Sequence, residues 1–310
     1  MHWFREAGFG MMTHFGLYSV LDGDYRGQPC SEWARHTFRI PRDEYHGLLR
    51  AFDPVYLDTD EWIKMEKDAG MKYFVLTAKH HEGFAMFKSR VSRFNVVDST
   101  PYGKDIVGMF AESCYKAGVR FGVYYSQDLD WEEKDGGGSI PSKWCENAHN
   151  TWDYPDHTAD FDRYLREKAE PQVEELLRNY GEMCLIWFDC PWTMTKEQSR
   201  RLYDLVKSIQ PDCLVSARIG HGLGDYGGGG DNEFDMKGGE GLYETPCTLS
   251  GNGFWNFSVY DQGYKQADEI RARLKKLNSR NVNLLLNIGP DHLGRLPGKA
   301  ISVLKDLAKA

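Results

Sequence analysis

The sequence holds no C-x-x-C pair, no run of 18 apolar residues, no cluster of basic residues and no internal repeat. Each absence removes a class of protein. The seven cysteines (Cys30, Cys114, Cys145, Cys184, Cys190, Cys213 and Cys247) are odd in number and widely spread. They do not read as a disulfide framework or a zinc ribbon but as free thiols, which favours a reducing compartment such as the cytoplasm. Without a long apolar run there is no candidate transmembrane helix, and the opening MHWFREAGFG lacks the basic and apolar regions of a signal peptide. A soluble, untargeted chain with no membrane partner is expected. A net charge of −8 without a basic patch argues against nucleic acid as a partner. No G-x-G-x-x-G fingerprint follows a strand, because neither GDYGGGGDNEF nor DGGGSIP sits between a strand and a helix. A dinucleotide cofactor is not expected.

What is present is a balance of 41% hydrophobic and 27% charged residues over 310 positions, enough to bury a sizeable core. Apolar, β-rich runs alternate with amphipathic ones. Strands are predicted at 9–16, 73–80, 119–126, 184–189, 213–218 and 282–289, and helices at 58–70, 104–117, 158–180, 195–209, 263–278 and 297–309. Continuous apolar strands between helices indicate a parallel sheet covered on both faces. Strand after strand then ends on a polar residue: His14; Lys79 with His80 and His81; Tyr125 with Ser126; Asp189; Arg218; Asn287. That pattern fits the C-terminal mouth of a (β/α) barrel, where the catalytic residues of that fold gather. The prediction is therefore an α/β fold, a (β/α)8-like, TIM-type barrel that need not be perfectly regular, forming one domain over 1–310. The glycine-rich pieces at 136–139 and 227–230 read as loops over its mouth.

Aromatic residues make up 14% of the chain, and several of the nine tryptophans stand beside glycine, proline or acidic residues. Rings in such loops can line a pocket for a ligand with apolar faces and polar edges, such as a sugar. In LIWFDCPW, Asp189 closes a buried strand, and Trp187 shares its face by the two-residue period. A carboxylate there is costly unless it is hydrogen-bonded or used. His80 and His81 are adjacent, so on a regular strand they diverge; both reach one ligand only where a strand ends or bulges. That spacing argues against a catalytic metal, since zinc needs three converging ligands, although a metal-dependent barrel hydrolase remains a rival reading. A partner for Asp189 in a glycosidase pair would stand about 5 to 5.5 Å away in a retaining enzyme and about 6.5 to 9.5 Å away in an inverting one. Candidates are Asp231, Glu233 and Asp235 in GGGGDNEFD, then Glu240 and Glu244 in GGEGLYETP. A glycine-rich loop can carry its tip over a substrate, which favours the first group.

The strings WFREAGFGMMTHFGLYS, CSEWAR, AKHHEGFAMF, GVYYSQDLDW, IWFD, VSARIGHGLGDY, ETPCTLSGNGFWNF and VNLLLNIGPDHLGRLP resemble, in order and over nearly the whole chain, the α-L-fucosidases of glycoside hydrolase family 29. The resemblance implies a (β/α) barrel followed by a β-sandwich. Because this chain ends 20 residues after LLLNIGP, the sandwich is expected to be absent. The resemblance further implies hydrolysis of terminal α-L-fucose with retention, through a covalent intermediate on the aspartate of W-x-D, here Asp189. Fucose recognition would come from His14, Glu32, Trp33, His80, His81, Tyr125 and Arg218, with Trp187 and Trp255 as apolar floor and wall. Glu233 is the expected acid/base, with Glu244 second, because the family places this residue on the variable loop after the fifth strand. Two departures fall near that loop: Tyr243 where relatives often carry tryptophan, and Ser216, Ala217, Arg218 in place of the frequent N-D-R. Implied partners are a fucosylated glycan substrate and the L-fucose product, with no metal and no cofactor. A barrel that binds fucose without turning it over is the alternative. Lys79 is expected to pair with an acid below the site and to take no catalytic part.

Overall fold

The computed structural model describes residues 2–139 and 145–309. Eight parallel strands form its principal sheet: β1 (Phe9–Thr13), β2 (Tyr73–Lys79), β3 (Arg120–Tyr125), β4 (Leu185–Phe188), β5 (Leu214–Val215), β6 (Gly227–Gly228), β7 (Tyr243–Thr248) and β8 (Val282–Asn287). Their order across the sheet is β5-β4-β3-β2-β1-β8-β7-β6. The two end strands are joined by a parallel bridge between Ser216 and Tyr226. Beside it, Asp225 N–H donates to the Val215 carbonyl at 2.8 Å and the Asp225 carboxylate accepts from Val215 N–H at 2.8 Å. The strands thus close in chain order into the expected (β/α)8-like barrel. A two-stranded ribbon, Asp24–Tyr25 with Gln28–Pro29, is the only other sheet among the described residues.

The two-residue period sorts side chains between two cores. Tyr73, Val75, Tyr124, Trp187, Leu214 and Leu285 point into the barrel, where Phe4, from the short helix His2–Ala7, joins them. Phe4 lies 5.7 Å from the Tyr73 ring and 4.7 Å from the Tyr226 ring, so this helix plugs the N-terminal end. Phe74, Leu76, Tyr125, Ile186 and Phe188 face outward against the helices.

The six predicted strands appear where expected. The two further strands had little signal: β6 is a pair of glycines, and β7 contains Pro246, which cannot donate to a ladder. Half of the 227–230 stretch read as a loop is therefore barrel wall. The predicted 158–180 helix is broken into Phe161–Tyr164, a wide π turn at Leu165–Ala169, and Glu170–Asn179. Pro171, at the start of the last piece, has no N–H to complete the regular ladder. No helix among the described residues is long and apolar enough to cross a membrane.

The barrel floor is packed tightly at one glycine. A Cβ added to Gly10 would lie 2.5 Å from the Tyr73 ring. Gly10→Ala should therefore cost about 1–3 kcal/mol of stability by overpacking, read as a lower urea midpoint with an unchanged slope. An unchanged midpoint would mean that the Tyr73 ring yields freely.

Candidate active site

The strand ends enclose a cavity of about 870 Å³ at the C-terminal mouth of the barrel. At its base is Asp189, one residue beyond β4, 8% exposed, on the inward face with Trp187. Its carboxylate accepts from Arg218 Nη1 at 2.9 Å on one oxygen and from the Tyr124 hydroxyl at 2.9 Å on the other. Burial pushes this carboxyl up, but the charge of Arg218 and these hydrogen bonds more than offset that and hold it below the usual aspartate range. The group is therefore ionised at neutral pH. Gln127 fixes the backbone around it, accepting from Asp189 N–H at 2.8 Å and donating to the Arg218 carbonyl at 3.1 Å.

β2 stops at Lys79, and its register against β3 shifts between Thr77 and Lys79. That break lets both adjacent histidines face the cavity, with ring centres 4.1 Å apart. Lys79 instead turns away and donates to Asp130 at 2.9 Å, both side chains fully buried, while Lys168 holds the same carboxylate oxygen at 3.0 Å. Burial raises the Asp130 carboxyl, yet the two ammonium groups more than cancel that and hold it well below the carboxylate range. Lys79 thus pairs with an acid, as expected, but on the outer side of the barrel beside Tyr125 and Tyr164, and the network pins the end of β2 to the loop after β3.

Hydrogen bonds settle two histidine tautomers. The single Ser126 hydroxyl proton goes to the Leu129 carbonyl at 2.7 Å, so Ser126 Oγ accepts from His81 Nδ1–H, also at 2.7 Å. Asn287 donates its amide to the Trp255 carbonyl at 2.7 Å, so its oxygen accepts from His14 Nδ1–H at 2.8 Å. Both rings thus turn an unprotonated Nε2 toward the cavity. Burial lowers His14 to about 4, opposed in part by the Asn287 hydrogen bond and then Asp189, and lowers His81 to about 3, opposed in part by Asp189; burial, together with His81, His14 and Lys79, pushes His80 well below its ordinary value. Three neutral imidazoles therefore meet at the base of the cavity.

Glu32 and Trp33 join them from the segment after the ribbon. Glu32 is buried, accepts from Trp255 N–H at 3.2 Å, and is raised to about 7 by burial. Trp33 stands edge-on to His81 at 5.0 Å, and Trp255 lies 5.1 Å from His14. Trp187 carries the Arg218 guanidinium 4.6 Å above its ring.

Two expected residues do not reach the cavity. Tyr125 faces outward, where its hydroxyl donates to Gln172 at 2.8 Å and its ring lies under the Lys79 ammonium. Tyr124 takes the inward position, stacked 5.5 Å from Trp187. Strand parity supplied the missed signal, because Tyr124 pairs in register with Trp187. Glu244 is not a loop acid but the second residue of β7, sunk beneath the floor. It accepts from Trp187 Nε1–H at 2.8 Å and from the Tyr73 hydroxyl at 2.6 Å, and burial raises it to about 7. It supports the floor and does not line the cavity.

Of the other loop acids, Asp231 and Glu233 border the cavity. Asp231 pairs with Arg218 Nη2, so one guanidinium grips both Asp189 and Asp231. Glu233 accepts from Gly230 N–H at 2.7 Å. Asp235 is drawn away to Lys276, and Glu240 is exposed and does not line the cavity. One set of possible metal donors stands out among the described residues: His81, Asp189 and Cys190 bring one ligand atom each within 4.8 Å of one another.

Over residues 1–309 the sequence matches the family described as Alpha-L-fucosidase. The tissue alpha-L-fucosidase of Homo sapiens is 27% identical over 317 residues, covering 93% of this chain and 62% of that protein. The Alpha-L-fucosidase of Dictyostelium discoideum is 26% identical over 344 residues, covering 98% and 68%. The chain spans 61% to 68% of the length of the first curated relatives that it matches. Among solved structures, unliganded alpha-L-fucosidase AlfC from Lactobacillus casei is 41% identical with a TM-score of 0.93, covering 99% of this chain and 97% of that one. A variant of that enzyme in complex with Fuca(1,6)GlcNAc is similar at 42% identity and a TM-score of 0.93, covering 99% and 96%.

Five buried carboxyls are raised by desolvation, Glu32, Asp128 and Glu244 to about 7, Glu82 to about 8, and Glu66 well above its ordinary value. Their unfolded values are about 4 to 4.5, so the folded state binds the extra protons between those limits. The stability they contribute is present at acid pH and lost as pH rises through about 7 to 8. The buried histidines act in the opposite sense, but only below about pH 6.5. The urea midpoint should therefore fall between pH 6 and pH 8.5, and fall less in Glu244→Gln. A midpoint that rises over this interval would contradict the assignment.

Proposed function

This chain belongs to the α-L-fucosidase family, and from that membership we propose that it is a retaining exo-α-L-fucosidase acting by double displacement on fucosylated glycans and releasing L-fucose. The observation that carries the proposal is an ionised Asp189, held by Arg218 and Tyr124 at the base of a cavity walled by neutral imidazoles and tryptophans. Asp189 attacks C1 of the fucosyl unit and forms the glycosyl ester; water then releases the sugar. His14 and His81 accept hydrogen bonds from sugar hydroxyls through Nε2. Being neutral, they set no fixed positive charge beside the developing oxocarbenium ion. Glu32 and His80 supply further polar contacts, while Trp33, Trp187 and Trp255 cover the apolar faces of the ring. The free thiols of Cys30, Cys114, Cys184, Cys190, Cys213 and Cys247 support a reducing compartment such as the cytoplasm.

The proton donor comes from the loop at 229–235. Retaining pairs need carboxyl groups about 5 to 5.5 Å apart, and the shared guanidinium of Arg218 keeps Asp231 close to Asp189. That placement favours Asp231. Glu233 is the rival, since its carboxylate also borders the cavity and is committed only to a backbone N–H. In either case the donor protonates the departing oxygen and then, as base, takes a proton from the attacking water.

The reaction class is tested by hydrolysis of an aryl α-L-fucoside beside an aryl β-D-galactoside and an α-D-mannoside, with Asp189→Asn as control. Turnover of the fucoside alone, lost by at least about a thousandfold in the variant, is expected for a missing nucleophile. Saturable fucose binding with no turnover would instead support a silent binding protein. Asp231→Asn and Glu233→Gln then separate the donors on Fuca(1,6)GlcNAc, the disaccharide bound by the Lactobacillus casei relative. The donor's variant should lose about a hundredfold or more on this poor leaving group, and azide should restore part of its aryl-fucoside rate. If both variants stay near the wild-type rate, the loop does not supply the proton.

Tyr124→Phe removes one of the contacts that stabilise the Asp189 anion. The acid limb of its kcat/KM profile should therefore move to higher pH. A profile that stays in place would deny Tyr124 this role.

A further inference from the structure

The geometry points to a binding site for one soft divalent cation, zinc best of all, formed by His81 Nε2, Asp189 Oδ2 and Cys190 Sγ; bound there, the ion shuts off the Asp189 carboxylate. The three atoms lie within 4.8 Å of one another. Nε2 is 3.7 Å from Oδ2 and 3.9 Å from Sγ. A tetrahedral zinc with bonds of about 2.0 to 2.3 Å needs ligand separations of roughly 3.4 to 3.6 Å. The two separations from Nε2 need to shorten by only a few tenths of an ångström to meet that geometry. One nitrogen, one oxygen and one sulfur make a donor set suited to zinc, and the cavity offers the fourth position to water.

Two further features suit this set to a metal. His81 is already oriented as a ligand, since Ser126 accepts its Nδ1–H and leaves the Nε2 lone pair facing Asp189 and Cys190. Cys190 adopts φ +50°, a left-handed conformation that glycine takes freely and a residue with a Cβ takes at a cost. The chain thus holds a thiol, half-buried at the cavity wall, at a place where the backbone favours glycine. Coordination forms a zinc–sulfur bond and releases the Cys190 thiol proton to solvent. The Arg218 guanidinium on the other oxygen of Asp189 opposes the cation, so micromolar binding is expected rather than the tight binding of a structural zinc site.

Occupancy would tie up Oδ2 and fill the base of the cavity. A chelator should then restore activity, the reverse of its effect on a metal-dependent hydrolase. The inhibitory effect rests on the fucosidase reading, whereas binding does not. The test uses the metal-free full chain titrated with zinc chloride by calorimetry, with Cys190→Gly as the comparison, since glycine accepts this φ without strain. Zinc should bind the wild type at this site at least about tenfold more tightly than the variant. It should also slow alkylation of Cys190 by N-ethylmaleimide, followed on its own peptide by mass spectrometry. On an aryl α-L-fucoside, zinc should inhibit the wild type reversibly with EDTA, and the inhibition constant should rise at least about tenfold in Cys190→Gly. Equal zinc affinity in both proteins, or no protection of the thiol, would overturn the site. If the protein turns over no fucoside, calorimetry and alkylation still decide the site, and the failure belongs to the fucosidase reading alone.

Discussion

The site depends on keeping one buried carboxylate charged. Asp189 is largely removed from water, and an unpaired carboxylate there would take up a proton instead. Arg218 is what prevents it. The guanidinium reaches Asp189 across the Trp187 ring, and Trp187 is steadied by its bond to Glu244, which is in turn fixed by Tyr73. Tyr73 packs on Phe4 from the plugging helix and against the backbone of Gly10. A column of contacts thus runs through the barrel interior from the N-terminal plug to the Asp189 carboxylate. Removal of a member far from the cavity would tilt the floor on which Asp189 and Arg218 meet.

Charge elsewhere in the site is kept low. The three histidines are buried deeply enough to stay neutral, and the one lysine of the KHHE stretch is turned outward to Asp130. An ammonium left among the imidazoles would compete with Arg218 for Asp189. Pairing Lys79 with Asp130 and Lys168 instead satisfies that charge and anchors the strand whose end presents His80 and His81. One buried network therefore keeps the Lys79 ammonium out of the cavity and fixes the backbone of two residues that line it.

Much of this was legible in the sequence because strand ends carry their chemistry in order. Apolar runs ending on His14, His80, Asp189 and Arg218 mark a barrel mouth whatever the loops do. Parity was the finer signal and was easily misjudged: Tyr124 and Tyr125 are chemically identical neighbours, and only the register with Trp187 shows which one faces inward. The seam was harder. β6 has no side chains, and β7 combines Glu244 with Pro246, so a buried floor carboxyl looked like a solvated loop acid. No pattern of hydrophobicity distinguishes a glutamate that accepts from Trp and Tyr inside a barrel from one in water. The loop acids were illegible for another reason, since what separates Asp231 from Glu233 is a contact with Arg218 made across a fold of the backbone.

The cavity has two unlike walls. One is built on β1 to β4, whose ladders run for several residues and whose ends carry the histidines, Tyr124 and Asp189. The other leaves β5 and β6, strands of two residues each, joined by a single bridge and the Asp225 bonds. Long ladders fix positions well, so the side chains of the first wall are held in one arrangement around Asp189. The second wall has far less backbone pairing to locate its acids, Asp231 and Glu233. Arg218 resolves this mismatch. It leaves the thin wall just after β5 and binds Asp189 on the rigid one while also holding Asp231. The loop at 229–235 is thus referenced to Asp189 through one planar, always charged side chain. A lysine could balance the same charge, but one ammonium could not offer two carboxylates a fork of fixed geometry.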